Sequence, residues 1–124
     1  MKAWTPEELQ RIVAADDLHI SPLRMDGVTH GTPTWIWCVA VANDLYVRGC
    51  HGQRSRWYQA AIAQGAGRIH AAGAVYDVTF EAAPDTIGDE VDAAYRVKYA
   101  KSNYLAAMVG APARSAAVRI TPSR

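Results

Sequence analysis

Residues 43–58, NDLYVRGCHGQRSRWY, combine a strand pattern, a glycine-containing loop and the start of a helix. The turn pair Asn43-Asp44 predicts that the strand 45–50 forms a hairpin with the apolar segment before it. A helix is predicted from about Ser55. Its N-terminus carries partial positive charge and unpaired N–H groups, so Arg54 and Arg56 beside it oppose the local electrostatics unless an anion binds. The stretch therefore predicts an anion site, for example for a cofactor phosphate.

A plainer interpretation of these residues stays open. Arginines at a helix start are often solvated, and Ser55 can be no more than an N-cap. Trp57 and Tyr58 can stack on a planar ligand or fill a core. Cys50 and His51 suggest a thiol with its base, but successive strand residues point to opposite faces and no acid is placed to orient the histidine. The sequence therefore identifies no catalytic residue.

Size and charge exclude several classes of protein. The chain has 124 residues, which predicts a single domain over residues 1–124, and its formal net charge of +1 supplies no field for nucleic-acid binding. No apolar run reaches the roughly 18 residues of a membrane-spanning helix, and the first residues do not form a signal peptide. We expect a cytoplasmic protein with neither nucleic acid nor membrane as partner.

The cysteines and histidines predict neither redox nor metal chemistry. Cys38 and Cys50 lie in separate predicted strand regions and form no C-x-x-C motif. In a reducing cytoplasm both are expected to be free thiols. The four histidines are scattered without the spacing of metal ligands, so no metal site is predicted.

The first part of the chain predicts one helix and two strands. Thr5-Pro6-Glu7-Glu8 combines a cap, an early proline and first-turn acids, so a helix should run to about Ala15. The segment 18–23 is predicted as a strand that Pro22 confines to a sheet edge or bulge. Residues 34–42, TWIWCVAVA, are apolar on both faces and predict one continuous central strand.

The second part predicts a helix ended by Gly65, a hairpin that turns at Gly73, a helix over 85–110 with a break near Ser102-Asn103, and a last strand at 116–121. In that region Asp92 is placed to pair with Arg96 on the next turn. The predicted core consists of Trp35, Trp37, Val39, Val47, Ile69, Tyr76, Val78 and Phe80. The basic segment 98–104 can face an anion or form a solvated helix end.

Four pieces of the chain carry a resemblance to a known superfamily: TPTWIW at 32–37, LYVR at 45–48, SRWY at 55–58 and the hairpin 68–80. Together they resemble the split-barrel flavin-binding proteins, which include pyridoxamine-phosphate oxidases and deazaflavin-dependent nitroreductases. The whole chain looks like a small uncharacterised bacterial family, a domain of unknown function. The resemblance implies an α+β fold, a split β-barrel of mostly antiparallel strands with flanking short helices.

The resemblance also implies a function. In such families basic and hydroxyl side chains hold the phosphate of FMN or a deazaflavin, a role that here falls to Arg48, Arg54, Ser55 and Arg56, with Trp57 or Tyr58 as the ring-stacking wall. A homodimer is expected to hold the cofactor at its interface, and its apolar 35–39 segment favours such pairing. The expected activity is hydride transfer to a small unsaturated or nitro-type acceptor. The alternative is a non-catalytic module that binds a small ligand or a protein partner.

Overall fold

The computed structural model describes residues 3–123, so the first two residues and the last residue of the predicted 1–124 domain lie outside the described range. Two short 3-10 turns, Gly52–Arg54 and Asp85–Ile87, accompany the regular elements. These elements are α1 (Pro6–Ala15), β1 (His19–Pro22), β2 (Thr34–Trp35), β3 (Cys38–Val41), β4 (Asp44–Arg48), α2 (Arg56–Gln64), β5 (Ala66–Ala71), β6 (Ala74–Ala82), α3 (Gly88–Lys98), α4 (Leu105–Met108), α5 (Ala111–Ser115) and β7 (Ala117–Pro122).

The seven strands form one antiparallel sheet in the order β2-β1-β5-β6-β7-β4-β3. Its two edge strands, β2 and β3, are separated in sequence only by Ile36 and Trp37. Three Cα–Cα steps span at most about 11 Å, so the sheet has to curl until its edges come together. The fold is therefore the predicted α+β split barrel.

The prediction of one central strand over residues 34–42 is wrong. The segment breaks at Ile36–Trp37, and its two parts become the opposite edges of the sheet. The apolar pattern of the segment does indicate burial on both faces. The edge strand β3 is buried on both faces because Cys38 faces the barrel core and Val39 packs against the helices outside. Trp35 is 53% exposed, so its predicted place in the core is also wrong.

The core has two parts. One fills the barrel and includes Leu9 and Ile12 of α1, and the other lies between α3 and the outer face of β3 and β4. Most predicted core residues are confirmed as buried, namely Val39, Val47, Ile69, Val78 and Phe80. Tyr76 and Trp37 are partly buried and pack against the first and the second part, respectively.

Several local predictions are confirmed. Thr5 caps α1 in a reciprocal capping box with Glu8, and Gly65 ends α2 with a φ of 67°. The predicted β3–β4 hairpin is confirmed, but its turn lies at Ala42 and Asn43, which both have positive φ, one residue before the predicted pair Asn43-Asp44. The predicted edge position of Pro22 is wrong, because β1 lies between β2 and β5. Pro22 ends β1 opposite Gly67, and its carbonyl accepts from the Gly31 N–H at 2.8 Å.

The region 85–110 differs from its prediction as a helix with one break. It contains a 3-10 turn, α3, a non-helical stretch at 99–104 and the four-residue α4, and the unpredicted α5 follows. Both cysteines are free thiols, Cys38 buried and Cys50 exposed, and Cys50 lies in the turn after β4 rather than in a strand. No helix among residues 3–123 is long and apolar enough to cross a membrane.

Candidate functional site

A cavity of about 750 Å³ opens beside the Ile36–Trp37 link. Its volume lies in the range of small-molecule sites. The walls come from the link, the end of β4, the start of α2 and the short helix α4. Its main apolar lining residues are Trp35, Ile36, Trp37, Trp57, Tyr104 and Met108, and its polar ones are Thr34, Arg48, Cys50, His51, Ser55 and Arg56.

Three indole rings make the cavity wall predominantly flat and aromatic. Trp37 stacks on Tyr99, with ring centroids 3.9 Å apart and planes 5° apart, so its orientation is fixed from behind. Trp57 packs edge-to-face on Tyr58 at 6.1 Å. Trp35 stays half exposed at the cavity. Such a surface suits a planar ring system, because stacked and edge-on contacts add to the effect of apolar burial.

The loop between β4 and α2 folds back tightly on itself. The N–H of Gly52 donates to the Gly49 carbonyl at 2.8 Å, and the N–H of Ser55 donates to the Gly52 carbonyl at 3.2 Å. A Cβ on Gly49 would lie 2.8 Å from the Ser55 Oγ, so this close approach requires glycine. The fold-back brings both ends of the loop, with Cys50 and Arg56, to the same cavity.

Cys50 and His51 therefore do not point to opposite faces of a strand, and that prediction is wrong. Both residues lie in a turn, both are exposed and both line the cavity. Within residues 3–123 neither side chain makes a hydrogen bond or ion pair. Both groups are consequently available to a ligand.

The start of α2 is electropositive and has no internal counter-charge. Ser55 is the N-cap residue, but its hydroxyl makes no capping hydrogen bond, and the first turn of α2 contains no acidic residue. The exposed side chain of Arg56 lines the cavity at the same place, and no aspartate or glutamate among residues 3–123 lines it. Uncapped N–H groups beside a cation favour an anionic ligand group at this end.

Arg48 also lines the cavity, but its charge is already balanced within the protein. Its Nη1 donates to a carboxylate oxygen of Asp92 and, at 3.0 Å, to the Met108 carbonyl. Its Nη2 donates to the Gly88 carbonyl at 2.9 Å. Of the buried side-chain nitrogen and oxygen atoms in residues 3–123, Arg48 Nε is the one that has no hydrogen-bond partner. The guanidinium thus ties β4 to α3 and α4.

The predicted pairing of Asp92 with Arg96 is wrong. Asp92 is 5% exposed and bridges two arginines, since its second oxygen accepts from Arg114. Its side chain points toward the sheet rather than along the surface of α3. Spacing along a helix predicts which residues are neighbours, but here a partner 44 residues away in the sequence forms the stronger, buried contact.

The structure brings four of the six predicted cofactor-binding residues to the cavity and leaves two outside it. Arg48, Ser55, Arg56 and Trp57 line the cavity. Arg54 is exposed at the end of the 3-10 turn, and Tyr58 packs against the barrel core, so neither is among the lining residues.

Sequence reasoning missed the wall formed by α4 with Met108, whereas Tyr104, the residue before α4, belongs to the segment 98–104, which the sequence predicts to face an anion or form a solvated helix end. No local pattern marks this wall, because the long-range contact from Arg48 to the Met108 carbonyl places it. Among residues 3–123 no group of three or more His, Cys, Asp or Glu side chains is arranged to hold a metal ion.

The fold and the site together define an α+β split-barrel protein with an aromatic cavity that is electropositive at one end. A family described as "uncharacterized protein conserved in bacteria (DUF2255)" matches residues 8–120, most of the chain, and the chain belongs to this family. A search of curated proteins finds no match to the chain.

Proposed function

We propose that the protein binds a flavin or deazaflavin in this cavity and acts as an oxidoreductase on a small acceptor. The observation that carries the proposal is the meeting of three indole rings with the uncapped, arginine-bearing start of α2 in one cavity. A flavin-class cofactor has the matching chemistry, a flat ring system joined to an anionic phosphate. The split-barrel fold gives the same expectation through its resemblance to flavin-binding proteins.

The residues divide into two roles in this proposal. Arg56, the Ser55 hydroxyl and the first N–H groups of α2 hold the phosphate. Trp57 and Trp35 contact the ring. Arg48 is not a phosphate ligand here, because its terminal nitrogens already bind Asp92 and two carbonyls. The bound cofactor would supply hydride to a small unsaturated or nitro-type acceptor, while the protein binds, orients and excludes water.

The two arginines at the helix start provide a matched test. Arg56 lines the cavity and Arg54 does not, although the two residues are two positions apart and both are exposed. A charge-assisted hydrogen bond contributes about 1.5–3 kcal/mol, so R56A should weaken binding about ten- to hundredfold. R54A should leave the affinity close to that of the parent protein. Calorimetric titrations with FMN, a deazaflavin and inorganic phosphate measure both variants.

Two outcomes would contradict the proposal. Equal affinities of R56A and the parent for these ligands would contradict the phosphate site at Arg56. Absence of FMN and deazaflavin binding to the parent would contradict the proposed cofactor. Melting temperatures of the ligand-free proteins serve as the control. R56A should be as stable as the parent or slightly more stable, since it removes a cation from the positive end of α2.

A non-catalytic binding module is the second candidate, and one observation favours it. Cys50 and His51 line the cavity without a hydrogen bond to each other or to another of the described residues, so no nucleophile–base pair is assembled there. A yellow protein that reduces acceptors supports the oxidoreductase. A colourless protein that ignores flavins, deazaflavins and nicotinamides supports the module.

We further propose that the protein works as a homodimer. Trp35 is 53% exposed and Tyr104 is 74% exposed, and both line the cavity. Two large aromatic side chains at one opening form an apolar patch of the kind that a partner usually covers. A second copy placed there would shield the ring of a bound cofactor from water. The two-fold symmetry of such a pair would use the same surface twice.

A further inference from the structure

A continuous line of contacts leads from the cavity to the protein surface. Trp37 lines the cavity, and its ring lies on that of Tyr99 at 3.9 Å. The Tyr99 hydroxyl donates to Asp16 Oδ1 at 2.7 Å. Tyr99 is 8% exposed, whereas the side chain of Asp16, at the C-terminal end of α1, is 48% exposed. The path therefore begins at a ligand-sized cavity and ends at a solvated carboxylate.

We propose that Trp37, Tyr99 and Asp16 form a redox relay that delivers one electron to an oxidant in the cavity and one proton to the surface. The inference rests on the proposed function, because the relay needs a one-electron oxidant in the cavity. The oxidant is a photoexcited flavin-class ring. The oxidant takes one electron from Trp37. Tyr99 then returns an electron to Trp37 while its O–H bond breaks and the proton passes to Asp16.

The products of this sequence balance. The oxidant is reduced by one electron, Trp37 is neutral again, Tyr99 is a neutral phenoxyl radical and Asp16 is a carboxylic acid. A one-electron reductant in solution, such as a thiolate, then reduces Tyr99, and the proton returns from Asp16 to the phenolic oxygen. No group besides these two reactants and the three residues takes part.

The hydrogen bond to Asp16 is what makes Tyr99 suitable. Burial, followed by this hydrogen bond to a carboxylate, raises the pKa of Tyr99, so the phenol stays protonated at neutral pH. An oxidised phenol that kept its proton would be a buried cation, which is costly. Transfer along a 2.7 Å hydrogen bond avoids that cation. The ammonium of Lys98 lies 5.0 Å from the Tyr99 ring centroid and 3.9 Å from Asp16, where it helps to hold the carboxylate in place.

Residues 3–123 contain two other indole–phenol contacts, Trp57–Tyr58 and Trp4–Tyr76, and in both the phenol lacks a hydrogen bond to a carboxylate. Trp57 lines the cavity, so the pair that is remote from it serves as the control. Trp4 and Tyr76 meet edge-to-face at 5.3 Å and 84°, and the Trp4 indole donates to the Ile120 carbonyl. Within residues 3–123 the Tyr76 hydroxyl makes no hydrogen bond to a carboxylate. Neither residue lines the cavity. Tyr76→Phe is therefore a matched control for Tyr99→Phe.

The test uses a photogenerated soluble oxidant, a ruthenium polypyridyl complex with persulfate, so that no cofactor is needed. Tyr104 is 74% exposed and a soluble oxidant would oxidise it directly, so the parent for this test carries Tyr104→Phe. Transient absorption follows tryptophan and tyrosine radicals in this parent and in four variants built on it. Tyr99→Phe and Trp37→Phe should lose most of the tyrosyl radical, whereas Tyr76→Phe should keep it. Asp16→Asn keeps a hydrogen-bond acceptor but not a base, so tyrosyl formation should slow several-fold and its solvent deuterium effect should shrink.

Each outcome decides the inference. Identical yields in Tyr99→Phe and the parent, or an unchanged rate in Asp16→Asn, would overturn the relay. Circular dichroism shows whether Tyr99→Phe folds. If it does not, Asp16→Asn still tests the relay, because Asp16 is exposed and its substitution should leave the fold intact. A second arm excites bound FMN. If FMN does not bind, the proposed function fails while the soluble oxidant still tests the relay. If FMN binds but its excitation gives no Tyr99 radical, the link to the cavity is overturned.

Discussion

Arg48 supports the cavity from behind, because its guanidinium contacts three residues in two helices. Its side chain is fully buried, and it binds Asp92 and Gly88 of α3 together with the carbonyl of Met108 in α4. The sequence marks Arg48 as a candidate phosphate ligand, but its buried partner cannot be predicted from local spacing. The residue that looks most like a ligand-binding cation therefore acts, within the described structure, as a connector.

Removal of Asp92 should be costly, because Arg48 would remain buried without its counter-charge. Breaking a buried ion pair at one partner destabilises a protein by about 3–5 kcal/mol. The control is Asp77, whose pair with Arg68 is exposed on both sides, with side-chain exposures of 69% and 45%. Asp77→Ala should cost about 0–1 kcal/mol. Urea unfolding measures both variants, and equal losses would contradict the connector role.

Asp26 provides a prediction of pH dependence. Its carboxylate accepts from the Thr29 hydroxyl and from the N–H groups of Val28 and Thr29. These hydrogen bonds, with that from the Thr29 hydroxyl the largest cause, lower the pKa of Asp26 to about 2. Because the pKa falls on folding, the contribution to stability is present above the ordinary value of about 3.9 and is lost as pH falls through 2.

Thr29→Val removes the largest of these causes and should therefore raise the pKa of Asp26. An NMR titration of the carboxyl carbon measures the midpoint in both proteins. The loop 24–29 of the parent should keep its chemical shifts at pH 4 and change them near pH 2. An unchanged midpoint in Thr29→Val would show that the backbone N–H groups alone set the pKa.

Among the elements, those with local signals are the ones the sequence predicts correctly. The cap of α1, the stop at Gly65 and the β3–β4 hairpin each depend on residues that are neighbours in the chain, although the hairpin turns one residue earlier than predicted. The break at Ile36–Trp37 has no such signal, since nothing in TWIWCVAVA interrupts its apolar character. It exists because the curled sheet needs a short link between its two edges, which is a property of the closed shape.

Glycine is required at position 67 because the neighbouring strand β1 packs too closely for a side chain. A Cβ at this position would lie 2.5 Å from the Ser21 carbonyl oxygen and 2.7 Å from the Pro22 Cα, both backbone atoms of the neighbouring β1. Gly67→Ala should therefore force β1 away from β5 and cost at least about 1–3 kcal/mol, as overpacking does. Arg68→Ala, an exposed change on the same strand, is the control. Similar unfolding midpoints for the two variants would show that β1 moves freely.

For the whole molecule, the split barrel could be predicted and its cavity only in part. Residues 48–57 are contiguous, so a local reading of the sequence already places Arg48, Ser55, Arg56 and Trp57 together, and the cavity contains them. The remaining walls come from the 34–37 segment and from α4, which are distant in sequence and meet only because the sheet curls. Arg54 lies within this stretch and Tyr58 directly follows it, but neither lines the cavity, because successive residues of a helical segment face different directions.

The proposed homodimer can be tested through the exposed aromatic residues at the cavity. If a second copy covers Trp35, Trp35→Glu places a charge in the interface and should give a monomer that keeps the circular dichroism spectrum of the parent. Its melting temperature should no longer depend on protein concentration. Val97 is 83% exposed on α3 and does not line the cavity, so Val97→Glu should remain dimeric. Sedimentation at micromolar concentration measures all three proteins, and the parent should dissociate on dilution. A parent that is monomeric at every concentration would contradict the dimer. A dimer lost in Val97→Glu but kept in Trp35→Glu would move the interface to α3, and the cavity would then have to shield its ligand without a partner.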